Sequence, residues 1–556
     1  MDTIGIDVGS TNVKAVLVDA AGITLARTSR AMGWEPVGEV AELDAEELWQ
    51  AVLGALSVLG AEAPAGLGGV GAVGVCGQYS SIVPVDRHNR PVSPMRLYLD
   101  QRGTRHCQAI YARHPDALAT WMERHPVPPL GGGLALGHLL AFQIDHPDVH
   151  EATATYLEPV DYVTARLTGR ATATQGSMFA SQLVDNRTLG RLDYDPELVA
   201  MAQVDPSRLP PLVAADEVVG DVSTTVATGA GLPPGVAVLA GMTDTHAAAL
   251  ATGAAEPGRV GVAIGTTAVV LDTTDRLHAD FDHEVLAMAG VRPDEYLVWA
   301  ENGLAGRAVE HVLDRFVHAD DALGEHGVTD PFGGFEGALS SSPVGSGGVR
   351  FLPWLSGSMA PQADGAMRGA FVGISLHTER VDLVRATVEG VAHNLRWLLG
   401  PVEAFSGHRA EEVVLVGGAA RSPAWSQVLA DVLARPVRTV TEPGHACARA
   451  MATWAAHLAP GLGPGGAAGG GPPGAGQAGT ESVGGSSLGR RTEVARDRTA
   501  STVGPVDGPG LGSRWGERYD PDPSAVPVHD ATHVQFTAAF DALRPLRLGS
   551  RRQAPD

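Results

Sequence analysis

The sequence predicts an α/β protein made of two similar halves with a cleft between them. Short apolar strands and amphipathic helices succeed one another along the chain, and one strand–turn–strand unit occurs twice. Residues 5–11 read GIDVGST and residues 261–267 read GVAIGTT, so each copy has an apolar strand followed by a glycine and hydroxyl residues. Such a repeat, about half a chain apart, indicates two related halves. We expect each half to bring its hydroxyl-bearing turn to the cleft.

The composition is that of an acidic globular chain. Its 556 residues, 57.4 kDa and 44% hydrophobic content are enough for two or more domains with their own cores. The net charge of −23 and pI of about 5.2 argue against nucleic acid or an anionic membrane as the main partner, because both require a basic face. The three cysteines lack metal-ligand spacing and are too few for a disulfide framework. With neither a signal sequence nor an apolar run of about 18 residues, we expect a cytoplasmic protein.

The first turn, at residues 9–12, lies between strands predicted at 4–8 and 13–18. Amide protons and hydroxyls at such a turn can hold phosphate oxygens. Asp7 precedes the turn and can hold Mg²⁺ through water, and Lys14 follows it. The alternative is a plain hairpin with a polar tip.

Polar residues also follow two other predicted strands of the first half. The predicted strand 70–76 ends at residues 77–81, which read GQYSS, and residues 94–103 carry Asp100 and Arg102. An Asp and an Arg two residues apart at a strand end can share the hydroxyls of a ligand. The alternative is a surface ion pair that contributes under about 1 kcal/mol.

Asp244 stands between the two hydroxyl turns, at the junction of the strand predicted at 236–240 and a helix of small residues. An Asp at such a junction is often a helix N-cap. Its position favours a second interpretation, because a carboxylate between two phosphate turns can accept the proton of a hydroxyl that attacks phosphorus.

The rest of the second half is predicted as loop, helix and strand in turn. Residues 326–348 are predicted as a loop, and the strand 413–416 ends in glycines that let a nucleotide approach the backbone. The composition of residues 460–516 is that of a disordered linker or insertion. A final amphipathic helix is predicted at 529–543, and we expect Arg449 to face solvent.

Taken together, these segments resemble the FGGY family of carbohydrate kinases, and most of all its xylulokinase-like members. The resemblance covers residues 1 to about 458 and 519 to about 546. It rests on DVGSTNVK at 7–14, YLDQR at 98–102, GMTDTHAAA at 241–249, AIGTTAVV at 263–270, the segment 369–395 and the segment 414–437. The family implies a two-domain actin/hexokinase-like (ribonuclease H-like) fold with the active site in the interdomain cleft.

The resemblance implies transfer of the γ-phosphoryl group of ATP, with Mg²⁺, to a sugar hydroxyl. It implies Asp244 as general base and Asp7 as the metal carboxylate. It implies that the sugar is bound by Asp244 together with Gln78, Tyr79, Asp100 and Arg102. It implies that the nucleotide is bound by Gly9, Ser10, Thr11, Lys14, Gly265, Thr266, Thr267, Gly306, Gly417, Gly418 and Ser422.

The resemblance also implies a domain division and a substrate class. A sugar-binding kinase domain is expected at 1–242, a nucleotide-binding kinase domain at 243–459, the linker at 460–516 and a segment with a docking helix at 517–556. The expected acceptor is D-xylulose or a related pentulose. Because Tyr79-Ser80 stands where xylulokinases usually carry Met-His, another polyol or ketose is an alternative, as is a non-catalytic sugar- or nucleotide-binding relative. The oligomeric state is open, with a homodimer as one option.

Overall fold

The computed structural model describes most of the chain. The described residues are 1–33, 40–254, 256, 258–292, 294–319, 321, 330, 332–459 and 515–546. The strands are β1 Asp2–Val8, β2 Asn12–Val18, β3 Thr24–Ala31, β4 Glu42–Leu43, β5 Val70–Gly77, β6 Val83–Val85, β7 Met95–Arg96, β8 Thr155–Leu157, β9 Ala173–Thr174, β10 Leu212–Val213, β11 Val218–Asp221, β12 Ala237–Leu239, β13 Met242–Thr243, β14 Arg259–Ile264, β15 Thr267–Thr274, β16 Ala279–Asp280, β17 Val285–Ala289, β18 Tyr296–Leu304, β19 Arg350–Leu352, β20 Ala370–Val372, β21 Glu412–Gly417, β22 Val437–Val440 and β23 Trp515–Tyr519.

Helices surround and separate the sheets. They are α1 Ala45–Glu62, α2 Thr104–Arg113, α3 Ala117–Arg124, α4 Ala135–Asp145, α5 Pro147–Ala152, α6 Pro159–Thr168, α7 Pro196–Ala202, α8 Thr224–Ala230, α9 Asp244–Thr252, α10 Gly306–Val312, α11 Phe335–Ser341, α12 Arg380–Ser406, α13 Pro423–Leu433, α14 Ala446–Leu458 and α15 Val526–Leu543. In the described part of the chain, none of the helices is both long enough and apolar enough to cross a membrane.

The two main sheets are built around the same three-strand unit. The first has the order β11–β12–β5–β1–β2–β3, with β13 added beside β5, and the second has the order β16–β17–β18–β15–β14–β21–β22–β23. In the first, β1 pairs antiparallel with β2 and parallel with β5. In the second, β14 pairs antiparallel with β15 and parallel with β21. The repeat predicted from the sequence is therefore confirmed as a structural repeat.

Helix α14 belongs to the second half in sequence but packs on the first sheet. The Thr3 hydroxyl of β1 donates to the Ala452 carbonyl at 2.7 Å. A Cβ on Gly5 would lie 1.7 Å from the Ala448 carbonyl oxygen, and one on Gly74 would lie 2.5 Å from that of Met451. Only glycine permits this approach at both strands. Because α14 also packs on α9, it forms part of the layer between the two sheets.

The end of the described chain completes the second sheet. Strand β23 pairs antiparallel with β22 as the last strand of the sheet order. Helix α15 begins at Val526, before the predicted start, and buries Phe536 and Phe540 against Trp354. These aromatic contacts fix the final helix on the second half.

Two expectations from the sequence are wrong, and one falls largely outside the described residues. Residues 326–348, predicted as a loop, contain α11, because Phe335 and Leu339 find a buried place in the core. Arg449 is buried rather than solvent-facing, and its guanidinium donates to the Thr441 hydroxyl at 2.8 Å. The linker predicted at 460–516 lies outside the described residues except for 515–516, which begin β23.

Candidate active site

Two carboxylates meet where strands of the first sheet end. Asp7 lies on β1 opposite Cys76 of β5, and β13 pairs with the end of β5 just before Asp244 begins α9. Burial and, next, the negative charge of Asp7 together raise the pKa of Asp244 to about 7. Burial also raises the pKa of Asp7, against the opposing charge of Lys14, whose Nζ lies 4.0 Å from the Asp7 carboxylate. Asp7 and Asp244 therefore form one electrostatically coupled pair.

The N-cap of α9 is Thr243, not Asp244. The Thr243 side chain accepts a hydrogen bond from the His246 amide, which satisfies one amide of the first helical turn. Asp244 is the first residue of the helix, and the N-cap alternative raised from the sequence is wrong. The Asp244 carboxylate is therefore not used to cap the helix.

The first hydroxyl turn links β1 and β2. The Gly9 amide donates to the Asn12 carbonyl at 2.9 Å, which closes the turn. Thr11 is exposed at its tip, and Ser10 is hydrogen-bonded to the phenol of Tyr98. Lys14 points back from β2 toward Asp7. The turn thus offers hydroxyls, amides and one cation beside the carboxylate pair.

The second hydroxyl turn, residues 265–267, is closed in the same way, with the Gly265 amide donating to the Thr267 carbonyl at 2.9 Å. Gly306, at the start of α10, donates its amide to the Gly265 carbonyl at 3.0 Å. A Cβ on Gly306 would lie 2.2 Å from that carbonyl oxygen. Glycine at 306 therefore lets the start of α10 close against the turn.

The loop after β21 closes against the same hairpin. Gly417 has a φ of 91°, and a Cβ there would lie 2.3 Å from the Ile264 carbonyl oxygen. Gly418 donates its amide to that carbonyl at 2.8 Å. Ser422, also expected at the nucleotide, uses its hydroxyl as the N-cap of α13 by accepting from the Trp425 amide at 3.0 Å. The structure thus gathers the glycines of three segments around one hairpin end.

The segment after β5 carries the amide and phenol expected to face an acceptor. Gln78 is 6% exposed, and within the described residues neither its amide nitrogen nor its amide oxygen has a hydrogen-bond partner. The phenol of Tyr79 is hydrogen-bonded to the Thr245 side chain, and burial followed by the charge of Asp244 raises its pKa. An unpaired buried amide costs free energy unless a ligand satisfies it. Gln78 thus fits a position that binds hydroxyls.

Asp100 and Arg102 form an ion pair with each other. Asp100 is fully buried and accepts from Arg102 Nη2 at 2.6 Å and from the Ala41 amide at 3.2 Å. Burial alone would raise the pKa of Asp100, but these hydrogen bonds outweigh it and lower the pKa. Arg102 also pairs with Glu42. The described contacts are thus those of a closed ion-pair network that supports the loop carrying Tyr98.

Glu301 of β18 joins the candidate site and is not predicted from the sequence. Its carboxylate is hydrogen-bonded to the Thr267 side chain, and burial raises its pKa. Its charge adds to the rise in the pKa of Asp244. A lone charged residue within the otherwise apolar run YLVWAENGL was the available signal. Asp7, Asp244 and Glu301 are called the carboxylate cluster below.

The donor set suits a magnesium ion that arrives with phosphate. Within the described ranges, no three His, Cys, Asp or Glu side chains are grouped closely enough to hold an ion by themselves. Mg²⁺ is commonly held by one or two carboxylates together with water and the phosphates of a substrate. Asp7, beside a turn of amides and hydroxyls, fits that pattern.

Comparison with known proteins gives matches over both halves. Residues 3–251 match the N-terminal domain of the FGGY family of carbohydrate kinases, and residues 260–459 match its C-terminal domain. The chain is 26% identical to a xylulose kinase of Bacillus subtilis over 81% of this chain and 87% of the relative. It is 30% identical to a xylulose kinase of Streptomyces coelicolor over 78% and 83% of the two chains.

Two further matches bear on substrate and fold. A gluconokinase of Bacillus subtilis is 23% identical over 77% of this chain and 82% of the relative. The crystal structure of xylulose kinase from Rhodospirillum rubrum superimposes with a TM-score of 0.76 at 24% identity, covering 98% of this chain and 99% of that one. The two-domain fold expected from the sequence is confirmed by this likeness.

Proposed function

The chain belongs to the FGGY family of carbohydrate kinases, and we propose that its acceptor is a pentulose, D-xylulose or a close relative. As a member of the family it is a phosphotransferase with an alcohol group as acceptor. The observation that carries the proposed site is the placement of Asp244 beside Asp7, with a pKa of about 7, in a cleft between two hydroxyl turns. The xylulose kinases among its relatives support the choice of acceptor.

Asp244 acts as the general base in this proposal. ATP bound with Mg²⁺ supplies the γ-phosphoryl group that the acceptor oxygen attacks. Asp244 takes the proton of that hydroxyl, and a pKa of about 7 leaves a large fraction of the carboxylate unprotonated at neutral pH. The Thr245 hydroxyl donates to the Asp244 carboxylate at 3.4 Å and is itself hydrogen-bonded to the phenol of Tyr79, so the two side chains orient the carboxylate.

The two hydroxyl turns hold the phosphates from opposite sides. Amides and hydroxyls at residues 9–11 and 265–267 are suited to phosphate oxygens, and Lys14 adds a cation. Asp7 would hold the Mg²⁺ ion, which would neutralise charge on the phosphates. Gly306, Gly417 and Gly418 bring backbone close to the second turn and keep the nucleotide pocket clear of side chains.

The acceptor lies on the first half, against Gln78 and Tyr79. The Gln78 amide, which has no hydrogen-bond partner among the described residues, can both donate to and accept from hydroxyls. Asp100 and Arg102 support the wall of this site through their ion pair. We also assign residues 1–242 to a sugar-binding domain and 243–459 to a nucleotide-binding domain, which the two sheets and the two family matches support.

The test is ADP release by the purified chain with ATP and Mg²⁺ across ketopentoses, ketohexoses, glycerol and small polyols. We expect strong stimulation by one pentulose. Stimulation by another polyol instead would keep the mechanism and replace the acceptor, a result for which Tyr79-Ser80 would be the first place to look. If ATP binds and no acceptor stimulates release, the chain is the non-catalytic sugar- or nucleotide-binding relative.

A further inference from the structure

A cavity is lined in part by Glu301 of the carboxylate cluster. Its volume is about 530 Å³, within the range of about 300–1,000 Å³ usual for small-molecule sites. One wall comes from Tyr98 and the stretch 126–134 of the first half, and the other from Phe281, Trp299 and Met359 of the second. The cavity is therefore formed between the two halves of the molecule.

Tyr98 and Glu301 connect this cavity to the site of phosphoryl transfer. Both side chains line the cavity. Glu301 also acts electrostatically on Asp244, and the phenol of Tyr98 is hydrogen-bonded to Ser10 of the first hydroxyl turn. Glu301 therefore belongs both to the carboxylate cluster and to the wall of the cavity, and Tyr98 links that wall to the first hydroxyl turn.

The described walls of the cavity contain acidic but no basic side chains. Of its described lining residues, Glu284 and Glu301 alone are charged, and none is a Lys, Arg or His. The nearby guanidinium of Arg102 is already paired with Asp100 and Glu42. The negative charge of Glu284 adds to the rise in the pKa of Glu301, so the two like charges already oppose each other, and a further negative charge in the same space would be unfavourable for the same reason.

The remaining walls suit a sugar. Tyr98, Phe281 and Trp299 provide aromatic surface, which can cover the C–H face of a ligand. The Trp299 indole nitrogen is buried without an acceptor among the described residues and can donate to a hydroxyl. Carboxylate oxygens accept hydrogen bonds from hydroxyls.

We propose that this cavity is the distal part of the acceptor site, and that Glu284 and Glu301 make it selective for neutral, hydroxyl-rich acceptors over acceptors that carry a carboxylate. The inference rests on the proposed kinase function and narrows its substrate class. It separates this chain from kinases of aldonic acids, although a gluconokinase is among its relatives.

The first experiment compares acceptors of equal length on the wild-type enzyme. With ATP and Mg²⁺, kcat/KM is measured for a pentulose against a pentonate and for a hexulose against a hexonate. In the pair that contains the better acceptor, we expect kcat/KM for the neutral sugar to exceed that for the aldonate by roughly 100-fold or more. The difference should lie mainly in KM, because the carboxylate of the aldonate would be repelled by the glutamates of the cavity. An aldonate used equally well or better would overturn the inference and leave the kinase function standing. No turnover with any acceptor would overturn both.

The second experiment removes the charges one at a time. Glu284→Gln and Glu301→Gln keep side-chain size, and each is expected to shift the ratio of kcat/KM toward the aldonate by roughly 10-fold. Glu295→Gln is the matched control, since this half-buried glutamate precedes the same strand but lies about 20 Å along it from Glu301 and does not line the cavity. An unchanged ratio in both variants, or an equal shift in the control, would refute the role of the two glutamates. The wild-type ratio decides the proposal even if a variant fails to fold.

Discussion

Asp244 is the side chain whose replacement is expected to slow turnover most. Asp244→Asn keeps the shape of the residue and removes its ability to accept a proton, so kcat should fall by roughly 10²–10⁴ while ATP affinity stays near normal. ADP release and ATP titration measure the two quantities. Asp275→Asn, which alters an exposed carboxylate at a strand end, serves as the control. Turnover close to that of the wild type would remove Asp244 from the role of base.

The same residue predicts a pH dependence. Because burial and the charge of Asp7 raise the pKa of Asp244 to about 7, the base is increasingly protonated below that pH. We expect kcat/KM to rise with pH through about 7 and then to level off. Glu301→Gln removes another negative charge and should move the rise to lower pH. A profile that is flat between pH 6 and 8 would contradict this assignment.

Single residues were predictable from the sequence where their local context carried the signal. Asp7 and Asp244 stand beside glycine turns, and the sequence predicts both as site residues. Glu301 has no such context, and it enters the site only because β18 lies against β15 at the second turn. The burial of Arg449 could not be predicted from local sequence either, because it depends on the packing of α14 against the first sheet.

At the scale of elements, helix α6 supports the acceptor segment after β5. Ser80 has a φ of 62°, and Glu158, which precedes α6, accepts from the amide of Ser81 at 3.0 Å and from that of Ser80. Glu158→Ala would leave these buried amides unsatisfied. We expect the free energy of unfolding to fall by about 1–3 kcal/mol. The KM of the acceptor should rise on the order of 10-fold, while the KM of ATP stays unchanged.

Denaturant titration and steady-state kinetics check this expectation. Glu158→Gln keeps one accepting oxygen at the same position and should restore most of the loss. If Glu158→Ala changed stability alone and left the acceptor KM at the wild-type value, Glu158 would have no part in positioning the segment.

The docking of α15 is expected to be sensitive to acid. His529 and His533 of α15 face His393 of α12, with ring centroids 5.5 and 5.6 Å from that of His393. Burial, followed by neighbouring Arg385 and Arg396, lowers the pKa of His529 to about 4, and burial with Arg396 lowers that of His533 to about 4. Asp530 opposes both effects.

The direction of the pH dependence of stability follows from the number of protons that each state binds. Between about pH 6.5 and 4 the unfolded chain binds protons at these histidines that the folded chain does not, so stability should fall as pH falls through this window. Urea unfolding at several pH values measures it, and His533→Gln should make the dependence less steep. A midpoint that does not change between pH 7 and 5 would show that these histidines titrate equally in both states.

Elements with strong periodicity or turn chemistry were predictable, whereas those stabilised by distant partners were not. The hairpins around both hydroxyl turns and the final helix follow from local pattern. Helix α11 does not, because its sequence FEGALSS carries little helical signal and its burial depends on α12 and α13.

At the scale of the whole molecule, the packing of α14 on the first sheet is expected to decide stability. Gly74→Ala would place a methyl group 2.5 Å from the Met451 carbonyl oxygen and force strand and helix apart. We expect a loss of about 1–3 kcal/mol in the free energy of unfolding, measured by urea titration. Gly68→Ala is the control, since a Cβ there meets nothing within 4 Å. Equal stability of the two variants would contradict this close approach.

The position of β23 has a consequence for the ribosome-bound chain. Strand β22 ends at Val440, and its outer neighbour begins only at Trp515. While the intervening residues are synthesised, the emerging sheet carries an open hydrogen-bonding edge, and such edges are templates for pairing with other chains. A nascent chain that stops before Trp515 would thus be prone to associate with its neighbours on the same polysome. Synthesis of β23 would end this exposure, because β23 covers the open edge of β22.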